Sequence, residues 1–388
     1  MGIKMLVTCD TGFEKVLVNE LEDIMKLNVL KVSSGRVFIE VLDKEDIVNV
    51  LRSRIANNVY ILLHVEENVN DLEAIYRVVK GIDFASFIEP WQNFAIRPER
   101  IGKHNFTSID IGRVAGQAVI DGYLESRGVR LKVDLDNPDV EVYVELNVDK
   151  LIVGLSLTRS SLHNRKYKLF AHPAGLKPTI AFALLKIADW VPGQPILDPM
   201  CGGGTIVIEA ALASKGVEVP CIAIDYLDIN ILNKLCPECG TYLHSLCFKN
   251  YRDADRVFVG VDINPRFVEG AIVNAKNAGV DDVTLFLVGD LREVVPKLKS
   301  IEKEFGVEFH TAVFNPPYGH RMKPGSLGKL YEDAIRTLIN HGFRTIIFIT
   351  SATKVSEKVL ANFNEIEVEK FKVIHSTLPS YVYRIRTR

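Results

Sequence analysis

The run Ile196-Leu197-Asp198-Pro199-Met200-Cys201-Gly202-Gly203-Gly204-Thr205, continued by the apolar stretch Ile206–Ala213, decides the fold of the second half of this chain. A short apolar run ends in an acid, turns over three consecutive glycines and enters a helix. Glycines let a backbone turn sharply and come close to a ligand. Amide hydrogens at a helix start can hold a carboxylate or a phosphate. The spacing is neither GxGxxG nor the GxxxxGK of a P-loop, which argues against a dinucleotide or a nucleoside triphosphate.

Downstream of this loop, apolar strands alternate with helical segments. The strands are Ile196–Leu197, Val257–Val261, Val283–Val288, Thr311–Phe314 and Thr345–Ile349, and the helices Ile206–Ala213, Phe267–Ala278 and Leu330–Asn340. Such alternation predicts parallel strands joined by crossover helices, a doubly wound α/β sheet. The last two runs, Ile366–Ile374 and Tyr381–Ile385, have no helix between them and predict a closing hairpin.

Acids stand at the tips of the next two strands. Asp262, followed by Ile263, is placed to accept from a ribose hydroxyl pair, and Asp290, followed by Leu291, from an adenine amino group. Each alone also reads as a helix-capping turn residue. In register with Asp198, Met200, Cys201, Gly202, Gly203, Gly204 and Thr205, they predict an adenosyl ligand across the switch point. Cys201 reads as packing rather than as a nucleophile.

The fourth strand ends in Asn315-Pro316-Pro317-Tyr318. Two prolines fix φ and remove amide hydrogens. The Pro316 carbonyl and the Asn315 side chain then offer two acceptors for the two hydrogens of an exocyclic amine. That grip aims the nitrogen lone pair at a sulfonium methyl. Tyr318 supplies a flat face for stacking a base, and Asn315 touches the cofactor side as well. Carbon methylation would call for another device, such as a cysteine nucleophile. The tetrapeptide contains none.

Upstream, residues 1–68 read strand, helix, strand, strand, helix, strand, the order of a ferredoxin-like α+β unit. Residues 69–159 form a second α+β unit, with a long helix over Ser108–Arg127 and strands at Phe94–Arg97, Leu131–Leu135, Val140–Leu146 and Leu151–Leu157. Residues 160–171 carry His163, Arg165, Lys166 and Lys168 without an acid and read as a linker. The catalytic unit then spans 172–388, with extra sequence at about 217–255.

With 388 residues, 47% of them apolar, the chain has material for two to three cored domains. A formal net charge of −2 argues against an overall basic coat but leaves room for a local basic patch. No apolar run is long enough to span a bilayer, and no basic segment precedes an apolar core at the start. The expected location is the cytoplasm. Six cysteines do not make a secreted disulfide framework. Three of them, Cys236, Cys239 and Cys247, with His244, offer a zinc ligand set. Disulfides or buried thiols are the competing readings.

Asp198–Thr205 taken with Asn315–Tyr318 resembles the class I methyltransferases that act on amino groups of bases and use S-adenosyl-L-methionine. Phe94-Ala95-Ile96-Arg97, Arg100, the helix from Ser108-Ile109-Asp110, and Asp136-Asn137-Pro138-Asp139 resemble a THUMP domain behind a ferredoxin-like domain. His172-Pro173-Ala174-Gly175-Leu176-Lys177-Pro178 resembles the segment that opens the catalytic domain in the same enzymes. The resemblance covers the chain except about Val217–Asp255. It runs closest to tRNA guanine-N2 methyltransferases acting at position 6 of the acceptor stem. A sister group acts at position 10 and usually has Asp in place of Asn315. Asn315 and Met200 favour position 6. Position 10, ribosomal RNA and adenine N6 stay open as alternatives. The resemblance implies tRNA as partner, with no membrane and no obligate protein partner. It also implies phosphate contacts from Arg97, Arg100, Lys103 and Arg113, extended by Arg165, Lys166 and Lys168.

Overall fold

The structure is a computed structural model that describes residues 2–247, 257–318, 324–375 and 378–387, apart from the side chains of Ile24, Pro324 and Gly325. The front half is built on one eight-stranded sheet. Its strands are β1 (Ile3–Thr8), β2 (Asn28–Ser33), β3 (Arg36–Val41), β4 (Asn58–Glu66), β5 (Asn93–Ile101), β6 (Lys132–Val133), β7 (Val140–Asn147) and β8 (Lys150–Ser156). Helices α1 (Glu14–Asn19), α2 (Asp46–Leu51), α3 (Leu72–Lys80) and α4 (Ser108–Arg127) accompany them. The order is β2-β3-β1-β4-β8-β7-β5-β6. An antiparallel β4–β8 ladder, from Tyr60 opposite Ser156 to Glu66 opposite Leu151, joins the ferredoxin-like strands to the later ones.

Local chemistry sets the element ends. The cap of α4 is Thr107, the residue before Ser108. Thr107 Oγ1 accepts from the Asp110 amide at 3.2 Å, and Asp110 Oδ2 accepts from the Thr107 amide at 2.8 Å. The expected strand Leu131–Leu135 shrinks to two residues because Asp134 Oδ1 accepts from the amides of Asp136 and Asn137 and turns the chain early. Helix α1 stops at Asn19 and loosens into a wider turn over Glu20–Ile24, where the buried Glu20 carboxylate receives Ser53 Oγ and the Arg54 amide.

The second half begins with α5 (Pro178–Ile187), β9 (Ile196–Asp198) and α6 (Thr205–Lys215). Three short helices follow, α7 (Val219–Ala223), α8 (Ile229–Leu235) and α9 (Cys239–Cys247). Then come β10 (Phe258–Asp262), α10 (Pro265–Ala278), β11 (Thr284–Val288), α11 (Leu291–Val294), α12 (Leu298–Phe305), β12 (Thr311–Phe314), α13 (Pro324–His341), β13 (Thr345–Thr350), α14 (Thr353–Leu360), β14 (Ile366–His375) and β15 (Leu378–Thr387). The seven-stranded sheet has the order β11-β10-β9-β12-β13-β15-β14. Its first five members are parallel, and β15 runs antiparallel to both β13 and β14. The predicted doubly wound sheet with a closing hairpin is thus what forms. The order reverses at β9, so a crevice opens over the ends of β9, β10 and β12.

The inserted segment corrects the zinc reading. Cys221 is bonded to Cys247 and Cys236 to Cys239, which leaves no thiolate for a metal. Among the described residues no group of three or more His, Cys, Asp or Glu is placed to hold a metal ion. Its last part, 248–255, lies outside the described residues. What the segment does is clamp the two halves. Glu218 takes a two-pronged grip from Arg52 at 2.7 and 3.0 Å, Lys234 pairs with Glu89 at 2.6 Å, and Asp228 pairs with Arg159 at 3.4 Å.

A buried ionic node sits beneath this clamp. Glu209 of α6 is fully buried and meets Arg165 at 3.3 Å, Arg54 at 3.6 Å and the Tyr167 hydroxyl at 2.9 Å. Removing one member of such a pair costs about 3–5 kcal/mol, because the remaining charge stays buried. Arg165 is therefore a structural residue and cannot reach a phosphate, contrary to the reading of its basic run. No helix among the described residues is long and apolar enough to cross a membrane.

Candidate functional site

The crevice over the strand ends is a cavity of about 950 Å³. Asp198, Met200, Cys201, Gly202, Gly203, Thr205, Asp262, Ile263, Asp290, Leu291 and Asn315–Tyr318 all line it. Of the cofactor residues expected from sequence, Gly204 alone does not. Its backbone is left-handed, φ +79°, and an added Cβ would lie 2.9 Å from Phe286 and 3.0 Å from Ala271. Gly204 lets α6 press against the sheet, while Gly202 and Gly203 face the cavity.

The loop is fixed by its own acids. Asp198 Oδ1 accepts from the Met200 amide at 3.1 Å. Asp262 accepts from the Gly202 amide at 2.9 Å with one oxygen and from the Asn264 amide at 2.9 Å with the other. Burial, with Asp262 nearby, pushes the Asp198 carboxyl well above the usual carboxylate range. Asp198 and Asp262 both line the cavity, and a cationic ligand beside them would favour the charged form of each. Asp290 differs: Arg292 binds both its oxygens, at 2.9 and 2.6 Å, and holds its carboxyl below the ordinary range. Oδ1 also accepts from the Arg292 amide at 2.9 Å, which fills it, whereas Oδ2 keeps a further lone pair, so Asp290 can still accept one more donor.

The opposite wall is the Asn-Pro corner. The Asn315 amide nitrogen donates to the Ala174 carbonyl at 3.4 Å, and Asn315 Oδ1 is buried with no hydrogen-bond partner among the described residues. A buried acceptor left this way costs about 1–3 kcal/mol, so its place on a cavity wall marks a ligand position. Tyr331 donates to the Pro317 carbonyl at 3.1 Å and bonds Thr350 Oγ1 at 2.8 Å, which steadies the corner. The Tyr318 hydroxyl lies 2.8 Å from Nδ1 of His375.

Several lining or supporting residues escaped the sequence reading. Buried Asn274 joins the amide of Phe170 at 2.8 Å to the carbonyl of Gly203 at 3.0 Å, and so ties the connecting segment to the glycine loop. His172 packs edge-on against Phe267 at 4.2 Å between ring centres. Only the segment His172–Pro178 had a sequence signal, through its resemblance. Asn274 and His375 have none, since their partners are remote in sequence.

The residues expected to meet RNA divide. Arg100, Lys103, Arg113 and Lys166 are exposed. Arg97 is half-exposed and pairs with Glu141 at 2.6 Å. Lys166 pairs with Asp225. Lys168 donates to the Leu176 carbonyl at 2.9 Å, and Arg165 is buried.

Residues 165–380 match the family model described as "RMKL-like, methyltransferase domain", and residues 69–156 match that of the THUMP domain. A tRNA (guanine(6)-N2)-methyltransferase from Methanocaldococcus jannaschii is 37% identical to this chain over 97% of its length and 98% of the relative's. One from Archaeoglobus fulgidus is 36% identical over 91% of this chain and 84% of the relative. Among solved structures, a protein titled "possible methylase" from Clostridium difficile 630 superposes with a TM-score of 0.84 over 100% of this chain and 99% of its own, at 22% identity. At that identity the likeness speaks for the fold.

Proposed function

The chain belongs to the RMKL-like methyltransferase family with an N-terminal THUMP domain, and we propose that guanosine 6 of the tRNA acceptor stem is the nucleotide it modifies. It is an S-adenosylmethionine-dependent tRNA guanine-N2 methyltransferase. The position rests on the two relatives, both named for it, and on Asn315 where the position-10 group usually has Asp.

The observation that carries the chemistry is Asn315 Oδ1, buried, unpartnered among the described residues and on the same cavity as the glycine loop. In this reading Asn315 Oδ1 and the Pro316 carbonyl accept the two hydrogens of the guanine 2-amino group. Tyr331 occupies the Pro317 carbonyl, and the Pro316 one is the carbonyl assigned this purpose. Held so, the nitrogen gives up conjugation with the ring and its lone pair turns toward the cavity. Tyr318 offers its face to the base. Asp198, Met200, Cys201, Gly202, Gly203, Thr205, Asp262, Ile263, Asp290 and Leu291 hold the cofactor, Asp262 at the ribose hydroxyls and Asp290 at the adenine amine. When bound, S-adenosylmethionine supplies an electrophilic methyl on a cationic sulfur. The lining carboxylates and the size of the cavity fit such a group.

The target amine is paired in a stem, so the base leaves the helix at a cost of a few kcal/mol, offset by stacking and backbone contacts. We assign the backbone contacts to Arg97, Arg100, Lys103, Arg113 and Lys166, with the THUMP domain on the tRNA 3′ end, and the enzyme to the cytoplasm. We divide the chain functionally into 1–68, 69–159, the connection 160–171 and the catalytic unit 172–388, with 217–255 as a clamp. Transfer of labelled methyl to unmodified tRNA, followed by nuclease mapping, tests the position. Label at guanosine 6 is the expected result. Label at guanosine 10, on adenine, or on carbon or ribose would overturn the assignment.

A further inference from the structure

The hairpin β14–β15 is an unexpected contributor to the cavity. His375, the last residue of β14, and Leu378, the first of β15, are opposite one another in the ladder, and both line the cavity. His375 is buried, at 8% exposure. Its Nδ1 lies 2.8 Å from the Tyr318 hydroxyl, and the two rings meet edge-on with centres 6.4 Å apart. Burial pulls the imidazole below its ordinary pKa, with Asp10 opposing and Lys177 adding to the shift. A neutral imidazole has one ring nitrogen free to accept.

The end of β14 is itself held from outside the catalytic sheet. The amide of Ile374 donates to the Thr11 carbonyl at 2.8 Å, so the front unit grips the residue next to His375. Gly12, at φ +98°, allows this contact: an added Cβ would lie 2.3 Å from the Lys372 carbonyl. Nearby, Lys177 pairs with Asp10 at 2.7 Å, a second tie between the same loop and the catalytic unit. A connected route thus runs from Thr11 through Ile374 and His375 to the ring of Tyr318.

We propose that His375 is a positioning residue for methyl transfer, fixing through Tyr318 the plane against which the target base stacks. The inference rests on the reading of Asn315–Tyr318 as the amine-holding corner. The Tyr318 hydroxyl stands at the far end of the ring, so a contact made there bears on the tilt of the whole ring. A base stacked on a swinging ring presents its amine at a scattered angle. Misplacement of this kind slows chemistry while leaving the cofactor untouched, since His375 meets the corner and not the glycine loop.

The test is a mutant cycle read in single-turnover methyl transfer to unmodified tRNA, with cofactor affinity measured separately by calorimetry. His375→Ala and Tyr318→Phe each remove the contact from one side. Each lowers the rate at saturating tRNA by about 10- to 100-fold, the range expected when reacting groups are misplaced. The double variant is no slower than the slower single. His375→Asn, whose amide reaches the place of Nδ1, restores the rate to within about threefold. Cofactor affinity stays within about twofold throughout.

Losses that multiply in the double variant would overturn the proposal. So would a His375→Asn protein that melts like the wild type and is as slow as His375→Ala. If His375→Ala does not fold, Tyr318→Phe against the wild type still decides, because an unchanged rate means the contact positions nothing. A wild-type product other than N2-methylguanosine sinks the functional reading alone, and the His375–Tyr318 coupling is then still measurable on whichever amine is methylated.

Discussion

The two walls of the cavity are built on opposite plans. The glycine wall is made of groups that satisfy one another: Gly202 gives its amide to Asp262, Met200 gives its own to Asp198, and Arg292 closes on Asp290. The Asn-Pro wall ends in an acceptor with no donor among the described residues, Asn315 Oδ1, on a corner braced from behind by Tyr331 and from the side by His375. The first wall is complete before a ligand arrives, as suits a site that selects by shape and charge. The second is complete only once an amine is present, as suits a site whose binding energy belongs to the reacting group.

If that division is correct, the walls come apart under substitution. Asn315→Ala removes the waiting acceptor, and methyl transfer should fall by about 100- to 1000-fold, the cost of losing one preorganised polar contact at a reacting centre. Cofactor affinity by calorimetry should stay within about threefold. Loss of both in step would show that the walls are one unit. Asp262→Ala should do the reverse: a charge-assisted contact is worth about 1.5–3 kcal/mol, so cofactor affinity weakens by about 10- to 100-fold. The rate at saturating cofactor should change little, and a collapse of that rate at saturation would contradict the assignment.

The smallest effect is expected from the clamp, which lines neither wall. A chelator should leave both the melting temperature and cofactor affinity unchanged, since the four clamp cysteines form disulfides. A reductant should lower the melting temperature by several degrees and leave cofactor affinity alone. In the chain-entropy picture a crosslink with the 26-residue separation of Cys221 and Cys247 is worth about 3.5 kcal/mol. Destabilisation by the chelator would return zinc to the segment.

Legibility in the sequence follows the same line. The glycine wall could be read because its parts are local: an acid, a turn and a helix start in ten residues, repeated in reduced form at Asp262 and Asp290. The five parallel strands could be read because each is apolar and bounded. Asn315-Pro316-Pro317-Tyr318 could be read because two prolines dictate which carbonyls are left over. The braces could not. Tyr331 and His375 lie 14 and 57 residues from the atoms they contact, and nothing near them in the chain differs from an ordinary helix or strand. Arg165 misled because its neighbours are basic, while its partner Glu209 lies 44 residues away. The cysteine spacing suited a metal as well as a disulfide. The pairing used Cys221, 26 residues before Cys247, which the local motif did not contain.

The β4–β8 ladder has a practical consequence for anyone dissecting the chain. The THUMP match begins at residue 69, yet β8 completes its hydrogen bonding on β4, which lies before that boundary. A piece cut there would expose the edge of β8, an apolar run buried from Leu151 to Ser156, the kind of surface on which chains stick to one another. The front of the molecule should therefore behave as one stiff jaw rather than two hinged plates, and fragments meant to hold RNA on their own should keep residues 2–159 together.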